Sequence, residues 1–161
     1  MASYILLAED DEHDRSFTIR ALELCSVETH IRIARDGEET ASILEDNRKP
    51  LLILLDLKLP KIDGFTLLKR IRATPSLANT PVIVVSGSTL EADRVRALAL
   101  GASNYIIKQM EFKEFVQMLC IALSPYVSSL NAEAAGAPFL RRKDDIRLSL
   151  KWTSRSPKTQ A

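Results

Sequence analysis

The chain has 161 residues, of which 46% are hydrophobic and 27% charged, and a formal net charge of +1. One buried core fits this length, two full domains do not, and disorder throughout is excluded. The small net charge argues against a polyanion-binding surface over the whole fold, and no apolar run approaches the roughly 18 residues of a membrane helix. Tyr4–Ala8 reads as a short buried strand, and residues 12–25 show helical spacing, with Phe17, Leu22 and Leu24 apolar. Ile31 and Ile33 mark a second strand, followed by a helix over 38–47. Leu51–Leu55 is a continuous apolar run, which suits a strand covered on both faces. A helix over 64–72, a strand over 82–85 and a helix over 90–100 follow, with Gly101 as the cap that ends the last. Asn104–Ile107 is the fifth strand, and residues 111–123 form a helix with Phe112, Phe115, Val116, Leu119 and Leu123 as its apolar stripe.

Strictly alternating strands and helices imply right-handed crossovers. The expected fold class is α/β, a doubly wound five-stranded parallel sheet with helices on both faces. This domain is expected to span residues 1–125. Residues 126–161 are expected to be a basic tail, mostly linker-like or disordered. Within it, 131–138 reads as a linker and 145–152 as a candidate strand, because Ile146, Leu148, Leu150 and Trp152 alternate with polar residues. Charge follows the same division: residues 1–123 hold 15 Lys/Arg against 18 Asp/Glu, and residues 124–161 hold 7 against 3. Arg141, Arg142 and Lys143 could touch nucleic acid or anionic lipid, but Asp144 and Asp145 interrupt the run, and a solvated tail is the expectation. Cys25 and Cys120 form no metal-binding spacing and are expected as two small buried thiols. The amino terminus does not read as a signal peptide, so a cytoplasmic protein is expected.

In an open parallel sheet, ligands bind at the carboxyl ends of the strands. The first strand ends in Glu9, Asp10 and Asp11, the third in Asp56, the fourth in Ser86 and Gly87, and the fifth in Lys108. Four acids, a hydroxyl and an ammonium therefore meet at one sheet edge. Clustered carboxylates raise one another's pKa unless a cation sits among them, and hard oxygen donors suit Mg²⁺. Asp56 could then act as a nucleophile toward a phosphoryl group, with Ser86 and Lys108 holding its oxygens. Each residue alone has a plainer reading: Asp56 as a turn residue, Ser86 as a local cap, Lys108 as a surface lysine. Asp11, Glu12 and Asp14 are expected only to favour the positive end of the first helix.

The stretches ILLAEDD, LLILLDLKLPKIDG, PVIVVSGS and GASNYIIK, with Ser86 30 residues and Lys108 52 residues after Asp56, resemble the receiver domain of two-component response regulators. The resemblance covers residues 4–123 and implies the flavodoxin-like receiver fold. It implies Asp56 as phosphoacceptor, and Mg²⁺ held by Glu9, Asp10, Asp56 and the backbone carbonyl of Lys58. Ser86 is then the switch hydroxyl and Tyr105 the switch aromatic, which turns inward after it. Lys108 is the pocket lysine. The chain is similar to stand-alone receivers, including those serving phytochrome-type histidine kinases. The partners implied are a sensor histidine kinase, a downstream protein target and a second copy of the chain. No DNA-binding domain and no membrane partner are expected, and the protein is expected to be a signalling phosphoacceptor rather than an enzyme. Gln109 stands where the family usually has proline, and Lys58 is unusual at its position. An adaptor that works without phosphorylation is the alternative. An aspartyl-nucleophile phosphatase is disfavoured, because its second Asp would stand where Lys58 does. No glycine-rich nucleotide motif is present, and the acidic first loop would repel a flavin phosphate.

Overall fold

The computed structural model describes residues 3–108, 111–135 and 145–147. The elements in chain order are β1 (Tyr4–Ala8), α1 (Glu12–Leu24), β2 (His30–Ala34), α2 (Gly37–Glu45), β3 (Leu52–Leu55) and α3 (Gly64–Ala73). They continue with β4 (Val82–Ser86), α4 (Glu91–Ala99), β5 (Asn104–Ile107), α5 (Phe112–Leu123), α6 (Val127–Ala135) and β6 (Asp145–Arg147). The sheet order is β5-β4-β3-β1-β2-β6. β1 to β5 are parallel, in register Ile5–Ile31, Ile5–Leu52, Leu54–Ile83 and Val84–Tyr105. This is the expected doubly wound α/β sheet, with β6 added antiparallel at the β2 edge.

Strand alternation sorts the core into two layers. Ile5, Leu7, Leu52, Leu54, Ile83 and Val85 face Leu22 of α1 and Phe115, Leu119 and Leu123 of α5. Tyr4, Leu6, Ile53, Leu55 and Val82 face Ile43 and Leu44 of α2 and Leu67, Leu68 and Ile71 of α3. β1, β3 and β4 are buried throughout, which is why they read as apolar runs.

Three strand-to-helix turns end in an aspartate whose side chain accepts a backbone N–H of the following helix: Asp11 from Asp14, Asp36 from Glu39 and Asp63 from Thr66. Gly64 opens α3 against the end of β3. A Cβ there would lie 2.2 Å from the Asp56 carbonyl oxygen, so only glycine lets the helix start this close. Gly101, at φ 98, ends α4 as its cap position requires, and its carbonyl accepts Arg72 at 2.9 and 2.7 Å.

Two expectations require correction. Cys25 and Cys120 are not separate thiols; they form a disulfide across 95 residues of sequence. The residue pattern could not show this, because the pairing depends on α1 lying against α5. The stretch expected as a linker from residue 131 is helical through Ala135, as the second half of α6. Leu130 inserts into the α1–α5 core at 1% exposure, and burial of that side chain helps hold a helix of low amphipathicity. Of the candidate strand at 145–152, residues 145–147 form β6, opposite His30, Ile31 and Arg32. Residues 148–152, the basic run at 141–143 and Gln109 lie outside the described residues.

Candidate functional site

The parallel sheet brings the ends of β1, β3, β4 and β5 to one edge. Glu9 follows β1 and is 2% exposed. Its backbone N–H donates to Ala34 O at 3.0 Å, which fixes it to the end of β2. Asp10 is exposed. Asp56 follows β3 at 5% exposure, with its N–H donating to Ala8 O at 3.0 Å. Lys108 follows β5, tied by its N–H to Ser86 O at 2.8 Å. Each position is thus set by one further rung of the sheet ladder beyond the strand.

One carboxylate oxygen from each of Glu9, Asp10 and Asp56 lies within 4.8 Å of the others. The Lys108 ammonium contacts Glu9 Oε2, Asp56 Oδ2 at 2.8 Å and Asp14 Oδ2 at 3.1 Å. Asp56 Oδ1 accepts the Lys58 N–H at 3.2 Å, and Glu9 Oε1 accepts the Asp11 N–H at 3.1 Å. Burial pushes the Glu9 carboxyl up to about 7, helped by the charge of Asp56 and opposed by the Lys108 hydrogen bond. Burial pulls Lys108 down, but its hydrogen bonds and charge attraction to Asp56 and Glu9 outweigh this and raise it above an ordinary lysine. One ammonium contacts three acids, and a fourth, Asp10, lies close to two of them, so the cluster has excess negative charge and hard oxygen donors. That donor set fits a small divalent cation.

Ser86 ends β4, fully buried. Its Oγ accepts the Ser88 N–H at 3.2 Å, and among the described residues no hydrogen bond joins that hydroxyl to the side chain of Asp56 or Lys108. Tyr105 lies on β5 at 8% exposure, among Leu57, Val84 and Ala97, and its hydroxyl donates to Ser88 O at 3.0 Å. The ring is therefore inward already, with its polar end paired rather than in water. Lys58 is exposed.

Two residues at the site escaped the sequence reading. Asp14, expected only to serve the helix end, is one helical turn beyond Asp10 and reaches Lys108. Arg15 donates to the carbonyls of Glu9 at 3.2 Å and Asp10 at 2.7 Å, and so braces the loop that carries both acids. The i, i+4 spacing of Asp14 from Asp10 was the available signal, whereas Arg15 bonds main-chain carbonyls, which no side-chain spacing records.

The family profile of the response regulator receiver domain matches residues 5–120. Response regulator Rcp1 of Synechocystis is 33% identical over 121 residues, which cover 71% of this chain and 82% of that protein. The transcriptional regulatory protein CpxR of Escherichia coli K12 is 38% identical over 70% of this chain but only 45% of its own length. Among solved structures, the Mn²⁺-bound form of Rcp1 aligns with a TM-score of 0.70 at 31% identity, over 79% of this chain and 96% of that one. The phosphorylated cyanobacterial phytochrome response regulator RcpA aligns with a TM-score of 0.71 at 31% identity, over 80% and 96%. The bacteriophytochrome response regulator RtBRR aligns at 0.65 and 30% identity, over 88% and 100%.

Proposed function

The chain belongs to the response regulator receiver family of two-component signalling, and from that premise we propose that Asp56 is its phosphoacceptor. The observation that carries this reading is the geometry around one carboxylate. Asp56 Oδ2 is 2.8 Å from the Lys108 ammonium, and an Asp56 oxygen lies within 4.8 Å of oxygens of Glu9 and Asp10.

The donor is a kinase phosphohistidine. Its N–P bond breaks as an Asp56 carboxylate oxygen forms a P–O bond; the imidazole nitrogen keeps the N–P electron pair and takes up a proton. Glu9, Asp10, Asp56 and the Lys58 carbonyl would hold Mg²⁺, which when bound neutralises charge on the phosphoryl oxygens. Lys108 moves from the carboxylate pair toward the phosphoryl group, and Ser86 exchanges its local bond to Ser88 for a phosphoryl oxygen. Both are charge-assisted contacts, stronger than the neutral bond that Ser86 gives up. Tyr105 holds the Ser88 carbonyl, so any shift of that loop is felt by the tyrosine and by α4.

The protein acts as a signalling phosphoacceptor rather than a turnover enzyme. Its partners are a sensor histidine kinase, a downstream protein target and a second copy of itself. Likeness to RcpA and RtBRR supports a phytochrome-type kinase. A cytoplasmic site of action fits this role, and no helix among the described residues is long and apolar enough to cross a membrane.

The test is labelling by acetyl phosphate with and without Mg²⁺, beside Asp56→Asn. Label that needs Mg²⁺ and vanishes in the variant is expected. A folded protein that binds Mg²⁺ but never labels, with acetyl phosphate or with kinases, overturns the reading in favour of a phosphorylation-independent adaptor.

A further inference from the structure

The Cys25–Cys120 disulfide lies away from the phosphoacceptor edge, at the opposite end of α1. Cys25 is the C-cap of α1, and Cys120 lies on α5 one turn before its end. Three residues beyond α5 the chain enters α6, which turns back onto the segment leaving α1. Leu130 of α6 is buried in the same cluster as Cys25, with Tyr126 and Val127 packed against it. Asn131 grips the backbone on that side at two points: its Oδ1 accepts the Glu28 N–H at 2.8 Å, and its Nδ2 donates to Ser26 O at 2.9 Å. Ser26 follows Cys25 directly and stands at φ 57, a conformation that costs a non-glycine residue free energy and must be held by its surroundings. The bond between Cys25 and Cys120 thus closes the same junction that α6 straddles. Just beyond it, β2 begins at His30, the residue opposite Arg147 of β6.

We infer that Cys25–Cys120 is a reversible thiol–disulfide site, and that its oxidation holds the carboxyl-terminal extension on the α1–β2 segment. Oxidised, the bond fixes the end of α1 to α5, and the Ser26 carbonyl and Glu28 amide stand where Asn131 meets both. Reduced, α1 and α5 keep their aromatic contact through Phe17, Phe112 and Phe115. The Ser26 turn loses its covalent brace, and among the described residues α6 is left with the packing of Val127 and Leu130 and the two Asn131 hydrogen bonds. The reductant is a dithiol. Its thiolate attacks Cys120, which is half-buried, whereas Cys25 is only 8% exposed. The S–S bond breaks, and Cys25 leaves as a thiolate and takes up a proton. The second thiol of the reductant then displaces Cys120, which is protonated in turn. Two electrons and two protons pass from the dithiol, which ends as a disulfide. None of this depends on phosphorylation at Asp56.

The experiment uses the whole chain, dithiothreitol as the probe dithiol and two readouts. Alkylation with mass detection counts free thiols, and brief hydrogen exchange, in the first minute, reports on residues 127–135 against β1, β3 and β4. The expected result is two blocked cysteines without reductant and two free ones with it. On reduction, exchange over 127–135 should be about tenfold faster while the three strands stay protected. Cys25→Ala/Cys120→Ala should exchange fast over 127–135 with or without dithiothreitol, and Asn131→Ala should do so even when oxidised. Two free thiols in the untreated protein overturn the proposal. So does equal protection of 127–135 in both states, or complete exchange of the three strands within the same minute, which would mean that reduction unfolds the whole domain rather than releasing the extension.

Discussion

Helices α4 and α5 flank the same strand, β5, yet are held by very different means. α5 buries Phe115, Leu119, Ala122 and Leu123, stacks its aromatic end on Phe17 and is bonded to α1 through Cys120. α4 buries only Ala97, leaves Leu90, Val95 and Leu98 exposed, and begins at Leu90 with no side-chain cap. Its ties are fewer and polar. Arg96 lies 4.0 Å over the Phe65 ring, Ser88 Oγ donates to Asp93 at 2.6 Å, and Tyr105 reaches Ser88 O. The helix nearest the proposed switch residues is therefore the one that costs least to move, while α5 keeps the frame. A local change at a strand end can be read out only by an element with little burial to lose.

The largest test of this contrast is truncation on each side. Phe115→Ala should cost about 3–5 kcal/mol in urea unfolding, because it opens a cavity between α5 and the sheet. Val95→Ala on α4 should stay within about 0.5 kcal/mol, as an exposed change does. Similar losses at both positions would show that α4 is as firmly seated as α5.

Reduction of the disulfide comes next in size. Cutting a link that spans 95 residues should lower stability by about 2–4 kcal/mol, since the unfolded chain regains the entropy the loop removed. Urea curves with and without reductant, and for Cys25→Ala/Cys120→Ala, read this directly. No change would remove the covalent part of the contrast.

A smaller effect should follow from giving α4 the cap it lacks. Leu90 has φ −72 and ψ 123, an extended backbone suited to a capping side chain. Leu90→Ser should add about 1 kcal/mol. It should also narrow any change in α4 exchange on phosphorylation.

The smallest effect concerns acid. Backbone hydrogen bonding holds Asp11 below the usual carboxylate range. The Lys61 and Thr66 side chains do the same for Asp36 and Asp63, helped by backbone N–H groups. A lowered folded-state pKa contributes stability above the unfolded value, near pH 4, that is lost as pH falls through the folded value. The caps of α1, α2 and α3 should weaken in that window, whereas α4 has none to lose. In Asp36→Asn/Asp63→Asn, the acid fall of the urea midpoint should be visibly shallower than in the unsubstituted chain.

Much of the fold was legible because its signals are local. A short apolar run such as Leu52–Leu55, bounded by polar and turn residues, suits a buried strand, and Gly101 marks the end of α4. Chain-order alternation then implied parallel crossovers. The helical reading of residues 131–135 was missed because α6 has no strong apolar stripe; Leu130 is buried in the core shared by α1 and α5, and Asn131 is held by partners more than a hundred residues away in sequence.

Sequence alone therefore determined the edge at which Glu9, Asp10, Asp56, Ser86 and Lys108 gather, since each ends a strand and parallel strands end together. Only the tertiary structure decided which of them touch: Lys108 on Asp56, Glu9 and Asp14, and Ser86 on Ser88 instead. It alone decided that Tyr105 lies inward and that Cys25 meets Cys120. The physical reason is range. A strand or cap is set by neighbours along the chain, whereas a side-chain contact is set by how whole helices pack, and no periodicity records that.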